Sequence, residues 1–188
     1  MDRTEAADRL LVAAEELFYR RGIQAVGMDE IRSRSGVSLK RLYQCFPSKE
    51  ELVVAYLRHR DDRWRAALVE SVTRCDPPDR LLAVFDWLGG WFAEPDFRGC
   101  AFINSFGEFG DNAPAVADTV RHHRHELTRY LAALVEEANL GDRRTLTAQL
   151  QLLIDGAITA AAINGDPNAA RNARDAAKTL LDAARRRP

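Results

Sequence analysis

The amino-acid sequence predicts an all-α protein, because its apolar residues recur at the spacing of three and four that one face of a helix requires. One such stripe runs from Leu10 to Phe18, and another runs from Leu52 to Leu68. No segment alternates apolar and polar residues in the way that a half-buried strand does. Gly22, Pro47 and Gly165 stand where stripes end, and these residue types stop helices.

The turn residues place the predicted helices in order along the chain. Gly27 and Ser38 are predicted N-caps, and Ser48 with Glu51 forms a capping box directly after the helix-stopping Pro47. Helical order between residues 97 and 110 is left open. The expected helices are the N-terminal one ending near residue 22, followed by 28–35, 39–46, 49–75, 79–94, 114–139, 143–164 and 167–186.

Length and composition exclude several classes of protein. The 188 residues, of which 46% are hydrophobic, can fold without metal or disulfide cross-links. The odd cysteine count (Cys45, Cys75 and Cys100), without a CxxC pair, argues against a disulfide framework and favours a reducing compartment. No leader pattern and no run of about eighteen apolar residues is present. We therefore expect a soluble cytoplasmic protein without a membrane partner.

Charge is concentrated in one segment although the net charge of the chain is only −1. Residues 20–49 contain seven Lys and Arg side chains against the two acids Asp29 and Glu30, which gives a local net charge of +5. A basic patch of this kind is typical of phosphate contact, and a solvated helix face produces the same excess. Both interpretations stay open at the level of charge.

The same segment has the pattern of a helix-turn-helix. Two short predicted helices are joined by a turn at Gly36, and the second begins after the capping residue Ser38. Over about residues 6–57, the segment resembles the N-terminal DNA-binding domain of the TetR family of transcriptional regulators. The resemblance rests on Leu17, Phe18, Arg21, Gly22, Asp29, Glu30, Ile31, Ser35, Gly36, Val37, Ser38, Leu42, Tyr43, Phe46, Pro47, Ser48, Lys49, Glu50, Glu51 and Leu52.

Helical spacing indicates which residues of the second short helix can reach DNA. Leu42 and Phe46 are four apart and must pack inward. The residues left for an outward face or its edges are Leu39, Lys40, Arg41, Tyr43, Gln44 and Cys45. The resemblance implies that Tyr43 and Lys49 contact backbone phosphate, and Arg41 is expected to join them.

Bases are expected to be read by Lys40, Gln44 and Cys45, since Lys donates to guanine and Gln pairs bidentately with adenine. Leu39 either packs against a neighbour or meets a thymine methyl group. The weak N-cap Gly27 and Met28 replace hydroxyl residues that are common at this position in the family, which removes one expected phosphate donor.

The predicted helix 143–164 is apolar on nearly every side, so it needs cover on every side. A partner subunit supplies that cover in the TetR-like arrangement, in which the last two helices form a four-helix bundle. The alternative is a central core helix of a monomer. The interface residues predicted on this pair of helices are Leu146, Leu150, Leu153, Ala157, Ala161, Ala173, Ala177 and Leu180.

An aromatic-rich stretch suggests a ligand pocket. Apolar walls with a few polar groups are typical of small-molecule sites and also of an ordinary core. The run from Gly99 to Asn104 resembles a segment beside the ligand cavity in one branch of TetR-like regulators. The predicted pocket residues are Trp87, Trp91, Phe102, Asn104, Phe106 and Glu108, and they favour a small hydrophobic or aromatic ligand.

Metal and catalytic chemistry find little support in the sequence. His122, His125 and Glu126 have a spacing that could hold a metal, but flanking arginines favour a solvated face, and no metal is expected. No nucleotide loop or nucleophile elbow is present, so neither a cofactor nor enzymatic activity is expected.

The sequence thus predicts a helix-turn-helix domain over residues 1–48, a connecting helix 49–75 and a ligand-binding and dimerisation domain over 76–188. The implied function is a homodimeric regulator, by family habit a repressor, which binds a pseudo-palindromic operator in double-stranded DNA and is released by a ligand. Two alternatives remain: an architectural DNA-binding protein without a ligand switch, and an all-α ligand-binding protein with a vestigial helix-turn-helix.

Overall fold

A computed structural model describes residues 2–185 of the chain, apart from the side chain of Asp111. Within this range the chain forms nine α-helices and no β-strand, which confirms the all-α prediction. Two 3₁₀ turns, Pro77–Asp79 and Gly110–Asn112, precede α5 and α7. The helices are α1 (Arg3–Arg21), α2 (Met28–Ser35), α3 (Leu39–Cys45), α4 (Lys49–Thr73), α5 (Arg80–Phe92), α6 (Ala101–Phe109), α7 (Pro114–Glu137), α8 (Arg143–Asn164) and α9 (Ala169–Arg185).

Local hydrogen bonds define the short helices near the N-terminus. The backbone N–H of Gly36 donates to the carbonyl of Arg32 at 3.1 Å, and Gly36 has a φ of +67° that glycine adopts without strain. The Ser38 hydroxyl accepts from the N–H of Arg41 at 3.3 Å. Gly27 provides no side-chain cap, as expected. The turn residues of the sequence therefore set the bounds of α2 and α3.

Several helix ends lie one or two residues from the predicted ones, and the structure adds information on two helices, α6 and α9. The segment left open forms α6, in which Ala101, Phe102 and Ser105 are buried on one face. α9 begins at Ala169 rather than at residue 167, because the Asp166 carboxylate accepts from the N–H of Asn168 at 2.8 Å and holds a turn there. The predicted end of this helix, residue 186, lies outside the described residues.

The chain divides into two compact units whose bounds differ from the predicted domain limits. The first unit comprises Met1–Arg63 and Ala101–His123, and the second comprises Trp64–Cys100 and Arg124–Pro188. α6 and the first part of α7 therefore group with the N-terminal helices. A limit near residue 76 was expected because the Pro77–Pro78 loop interrupts the helical pattern. α6 belongs to the first unit because of its packing, and the spacing of apolar residues in a sequence does not show which helices pack together.

The first unit has a core of α1, α2 and α3, in which Leu10, Ile31 and Leu42 are fully buried. Burial of apolar surface stabilises the folded unit by about 25 cal/mol for each Å² removed from water. The ring of Phe18 meets that of Tyr56 on α4 edge-on, with 5.6 Å between the centroids. A second group is polar: His123 Nδ1 lies 2.6 Å from the Asp61 carboxylate, and the Phe102 ring stacks on the imidazole.

The second unit is built mainly by α5, α8 and α9. A Cβ atom at Gly89 on α5 would lie 3.5 Å from the Cβ of Ala170, so small residues permit close approach of α5 and α9. The Arg124 guanidinium forms a bidentate pair with Asp155 at 3.1 and 2.7 Å, and this hydrogen bonding raises the pKa of Arg124. The pair ties α7 to α8.

α8 is, within the described chain, the one helix that is long and apolar enough to cross a membrane. Length and composition alone are weak evidence for a membrane span, because core helices of globular proteins pass the same test. Leu146, Leu150 and Ile154 of α8 are buried inside the second unit. The apolar character of α8 is thus partly explained by packing within the chain.

We predict opposite stability changes from alanine at two glycines. Gly36→Ala forces a side chain into the left-handed region and should lower the free energy of unfolding by about 1–2 kcal/mol. Gly90→Ala lies within α5, where an added Cβ meets nothing within 4 Å, and should raise it by up to about 1 kcal/mol. Urea denaturation of both variants checks the pair. An equal change in both would contradict the left-handed turn at Gly36.

Candidate nucleic-acid interface

The α3 helix has one buried face and one solvent face. Leu42 and Phe46 are buried, as the spacing predicted. Lys40 and Gln44 are exposed, and Leu39 and Tyr43 are 47% and 46% exposed. The exposed side chains of α3 are therefore those that the sequence predicted for an outward face.

Arg41 and Cys45 lie at the edges of this face, and both are partly buried. The Cys45 thiol lies 3.6 Å from the backbone carbonyl of Arg3 and donates a weak hydrogen bond to it. Cys45 therefore contacts the N-terminal end of α1. The Leu39 side chain is half exposed rather than covered, so it remains available for an apolar contact.

The basic residues of this segment fall into two groups. Those of α1 and α2 have carboxylate neighbours: Arg20 lies 4.0 Å from Glu16, Arg34 lies 2.6 Å from Glu16, Arg32 lies 3.5 Å from Asp29, and Arg21 pairs with Glu30. Over residues 2–185, by contrast, Lys40, Arg41 and Lys49 form no ion pair. The positive charge that is free to meet a polyanion is therefore concentrated on α3 and at the start of α4.

Lys49 begins α4 directly after the capping residue Ser48, whose hydroxyl accepts from the N–H of Glu51 at 3.1 Å. A helix N-terminus favours anions through its dipole and its free N–H groups. Burial lowers the pKa of Lys49, and the negative charge of Glu108 opposes that shift. The lysine is thus partly desolvated, which strengthens its electrostatic interactions.

Glu108 on α6 contacts the end of α1, which sequence reasoning missed. Its two carboxylate oxygens accept from the backbone N–H of Ile23 at 3.0 Å and of Gln24 at 2.7 Å. The sequence analysis counted Glu108 among the polar groups of a ligand pocket because it lies in an aromatic-rich stretch. Eighty-five residues separate it from Ile23, so no local pattern indicated this contact. The one hint in the sequence is that the backbone N–H groups between α1 and α2 need an acceptor, because buried N–H groups are almost always hydrogen-bonded.

The other predicted pocket residues lie in two places. In the second unit, Trp87 stacks on Trp91 with 5.8 Å between centroids, and Trp64 meets both edge-on. In the first unit, Phe102 stacks on His123, and Phe106 is exposed. Asn104 and Glu108 line a cleft of about 420 Å³ formed by α1, α4 and α6.

The residues predicted for a dimer interface are distributed between core and surface. Five of them are buried within the second unit, where α5, α8 and α9 pack together: Leu146, Leu150, Ala157, Ala173 and Ala177. Leu153, Ala161 and Leu180 are partly exposed. The largest exposed apolar side chains of α8 are Leu152 and Ile163, at 69% and 77%. Periodicity did not separate these two faces, because α8 is apolar on both.

The possible metal ligands do not converge in the part of the chain that the structure describes, where no group of three or more His, Cys, Asp and Glu side chains could hold an ion. His122 and His125 are exposed on α7. Glu126 instead pairs with Arg129 at 2.5 Å and with Arg65 at 3.7 Å. Glu126, the carboxylate that a metal site with the two histidines would need, is therefore paired with these two arginines.

Two family models match this chain. The model of bacterial regulatory proteins of the tetR family matches residues 10–56, which include α2 and α3. The model of the tetracyclin repressor-like C-terminal domain matches residues 77–177, more than half of the chain. The two matches correspond to the helix-turn-helix and to most of the remaining helices.

Individual proteins give the same result. The HTH-type transcriptional regulator Rv1255c of Mycobacterium tuberculosis is 32% identical over 85% of this chain and 91% of its own length. The HTH-type transcriptional activator FasR of Mycolicibacterium smegmatis is 39% identical over 55% of this chain, but that match spans only 47% of FasR. The crystal structure of SCO4454, a TetR-family transcriptional regulator from Streptomyces coelicolor, superposes with a TM-score of 0.88, at 30% identity and 96% coverage of both chains.

We predict that Lys49→Ala weakens binding to every DNA duplex to a similar degree. Loss of one phosphate contact should lower the slope of log affinity against log salt by about one unit. The matched control is Lys178→Ala, which removes an exposed lysine that pairs with Asp182 on α9 and should leave the slope unchanged. Fluorescence anisotropy at several salt concentrations measures both slopes.

Gln44→Ala serves as the opposite comparison in the same assay. Because Gln44 is exposed on α3 and is expected to read a base edge, its removal should change the preferred duplex by about 1–3 kcal/mol at one position. Equal losses on all duplexes from both Lys49→Ala and Gln44→Ala would contradict the division between phosphate and base contacts.

Proposed function

The chain belongs to the TetR family of DNA-binding transcriptional regulators, and from this premise we propose that it acts as a homodimer that is released from a pseudo-palindromic operator by a small ligand. The observation that carries the DNA part of the proposal is the exposed face of α3, with Lys40 and Arg41 unpaired within the described residues. The ligand and dimer parts rest on the second unit.

Major-groove recognition suits the geometry of α3. The major groove admits one helix and presents a different pattern of donors and acceptors for each base pair. Lys40 and Gln44 are exposed on one face of α3, and we propose that Tyr43 and Arg41 beside them contact phosphate. The same proposal includes an apolar contact of Leu39 with a thymine methyl group, base contact by Cys45 and phosphate contact by Lys49.

Two observations favour a sequence-specific regulator over the alternatives. In a vestigial helix-turn-helix, the like charges of Lys40, Arg41 and Lys49 would only repel one another, whereas in a DNA-binding domain they attract phosphate and steer association. An architectural protein binds through phosphate contacts and needs no polar base-reading side chain such as Gln44. We propose repression as the output, although the relative FasR carries the name of an activator.

The exposed face of α8 supports a homodimer. Leu152 and Ile163 are large apolar side chains that are mostly exposed in the single chain. Exposed apolar patches are typical of association surfaces. Gly156 lies between them, and an added Cβ there would meet nothing within 4 Å. Because the five core residues of α8 and α9 are already covered, we propose that the interface uses Leu152, Leu153, Gly156, Ile163 and Leu180 instead.

A cavity of about 310 Å³ in the second unit supports a ligand role. α4 and α7 form its walls, and the lining includes the apolar residues Leu68, Val69 and Leu127. The Tyr130 hydroxyl in this lining is buried without a hydrogen-bond partner among the described residues, and burial raises its pKa. Arg65, Glu126 and Arg129 also line this cavity, so it suits a small apolar or aromatic ligand with a polar atom for Tyr130 and a polar edge for these charged groups.

The predicted pocket around Trp87 and Trp91 is the second candidate for this role. All three tryptophans, Trp64, Trp87 and Trp91, lie in one cluster of the second unit, and Leu68 of the cavity belongs to the same apolar core. Their emission should therefore report occupancy of either site. We further propose that the protein works in the cytoplasm, without a cofactor or catalytic activity.

We predict that wild-type protein is a dimer at micromolar concentration and that Leu152→Arg or Ile163→Arg yields a folded monomer. Both positions are exposed in the single chain, so the change should not unfold it, whereas an unpaired charge in a buried interface costs several kcal/mol. Sedimentation velocity measures the mass. Val12→Arg, an exposed apolar position on α1, is the matched control and should stay dimeric. A monomeric wild type would contradict the proposal.

We predict that Ala133→Phe blocks ligand response without weakening DNA binding. Ala133 lines the cavity from an exposed position on α7, so a phenyl group there should fill the entrance without strain. The probe is anilinonaphthalene sulfonate, a planar apolar anion, with tryptophan quenching and operator release followed together. Ala115→Phe, also exposed on α7 but outside the lining, is the control. Normal release from Ala133→Phe would move the site to the Trp87 and Trp91 cluster.

A further inference from the structure

The Glu108 carboxylate bridges α6 to the segment that follows α1. One oxygen accepts from the N–H of Ile23 at 3.0 Å and the other accepts from the N–H of Gln24 at 2.7 Å. Each oxygen therefore serves one backbone donor, and a charged acceptor makes each bond stronger than a neutral one. Two amides that would otherwise depend on solvent are held by a single side chain.

Gly22 lies directly beside the Glu108 carboxylate. It has a φ of +85°, which favours glycine, and its N–H donates to the carbonyl of Phe18 at 2.9 Å, which ends α1. A Cβ at Gly22 would lie 3.4 Å from both Glu108 oxygens, which is van der Waals contact. The turn and the carboxylate thus fit each other closely.

The segment that Glu108 holds connects α1 to α2. Ile23 and Val26 in this connection are buried, so its backbone course is tied to the core of the first unit. α2 in turn packs on α1 and, through the Gly36 turn, leads into α3. The position of this connection therefore affects where the DNA-facing helix lies.

Glu108 also acts on Lys49 electrostatically. Its negative charge favours the charged form of Lys49, and Lys49 is an expected phosphate contact at the start of α4. Loss of this carboxylate therefore removes a negative charge as well as two hydrogen bonds, and the two effects need separate variants.

We propose that Glu108 is a positioning residue of the DNA-binding region: it fixes the connection between α1 and α2 through its two hydrogen bonds to backbone amides. This inference rests on the proposed function for its DNA consequence, but the clamp itself does not. It replaces the expectation that Glu108 anchors a ligand. Glu108 lies within the range of the C-terminal family model and its partners within that of the N-terminal model, so the contact joins both segments.

Two substitutions separate the hydrogen bonds from the charge. Glu108→Gln removes the charge and keeps one oxygen acceptor, whereas Glu108→Ala removes both. Glu70→Gln, an exposed carboxylate of α4 that pairs with Arg74, controls for the overall change in net charge. Hydrogen exchange at the Ile23 and Gln24 amides is measured by NMR, and affinity is measured for the selected operator and for random duplex.

We expect Glu108→Ala to speed exchange at Ile23 and Gln24 by about tenfold or more and to lower the preference for operator over random duplex by about tenfold, because both amides lose a charged acceptor. Glu108→Gln should slow exchange relative to Glu108→Ala, since one oxygen acceptor remains. Glu70→Gln should change neither quantity.

Unchanged exchange of the Gln24 amide in Glu108→Ala would overturn the clamp, whatever happens to DNA binding. If Glu108→Ala does not fold, the exchange rates of Glu108→Gln against wild type decide the clamp. A wild type without operator preference would contradict the proposed function while leaving the exchange result valid. Loss of the response to anilinonaphthalene sulfonate with normal exchange would make Glu108 a ligand anchor and overturn the proposal.

Discussion

The packing of Leu42 under α3 is the constraint on which the DNA-facing surface depends. α3 has only seven residues between the Gly36 turn and Pro47, so one buried leucine, supported by Phe46, fixes its rotation. With that rotation set, the side chains of Lys40, Tyr43 and Gln44 lie on the exposed side of α3. Truncating a leucine in such a core costs about 2–5 kcal/mol, which a small unit cannot easily lose.

The ion pairs of residues 20–49 indicate which basic side chains are left to attract an anion. Within residues 20–49, the arginines of α1 and α2 lie near Glu16, Asp29 or Glu30, which leaves Lys40, Arg41 and Lys49 as the cations of that segment without an ion-pair partner. In the proposed function, DNA phosphates supply the missing anions, and phosphate contact releases counterions and steers association. The Glu108 carboxylate does not pair with these cations, because its two oxygens accept from backbone amides.

Sequence reasoning succeeded where the structure depends on neighbours along the chain. Gly36, Ser38 and Pro47 are local signals, so α2 and α3 and the inward face of α3 could be predicted. It did not succeed where distant segments meet. Leu150 and Ala177 read as interface residues because periodicity does not tell a core from a partner subunit, although packing within the chain buries both. The bond from Glu108 to Ile23 spans eighty-five residues and leaves no pattern in the sequence.

The central claim is that α3 reads a specific DNA sequence, and selection from a random duplex library tests it most directly. Wild-type protein should enrich one inverted repeat whose half-sites lie about one helical turn apart, as two copies of α3 on a dimer require. Selection with Gln44→Ala should enrich a different base at one position of each half-site. Enrichment of no sequence, at any salt concentration that permits binding, would contradict the account and favour an architectural DNA-binding protein.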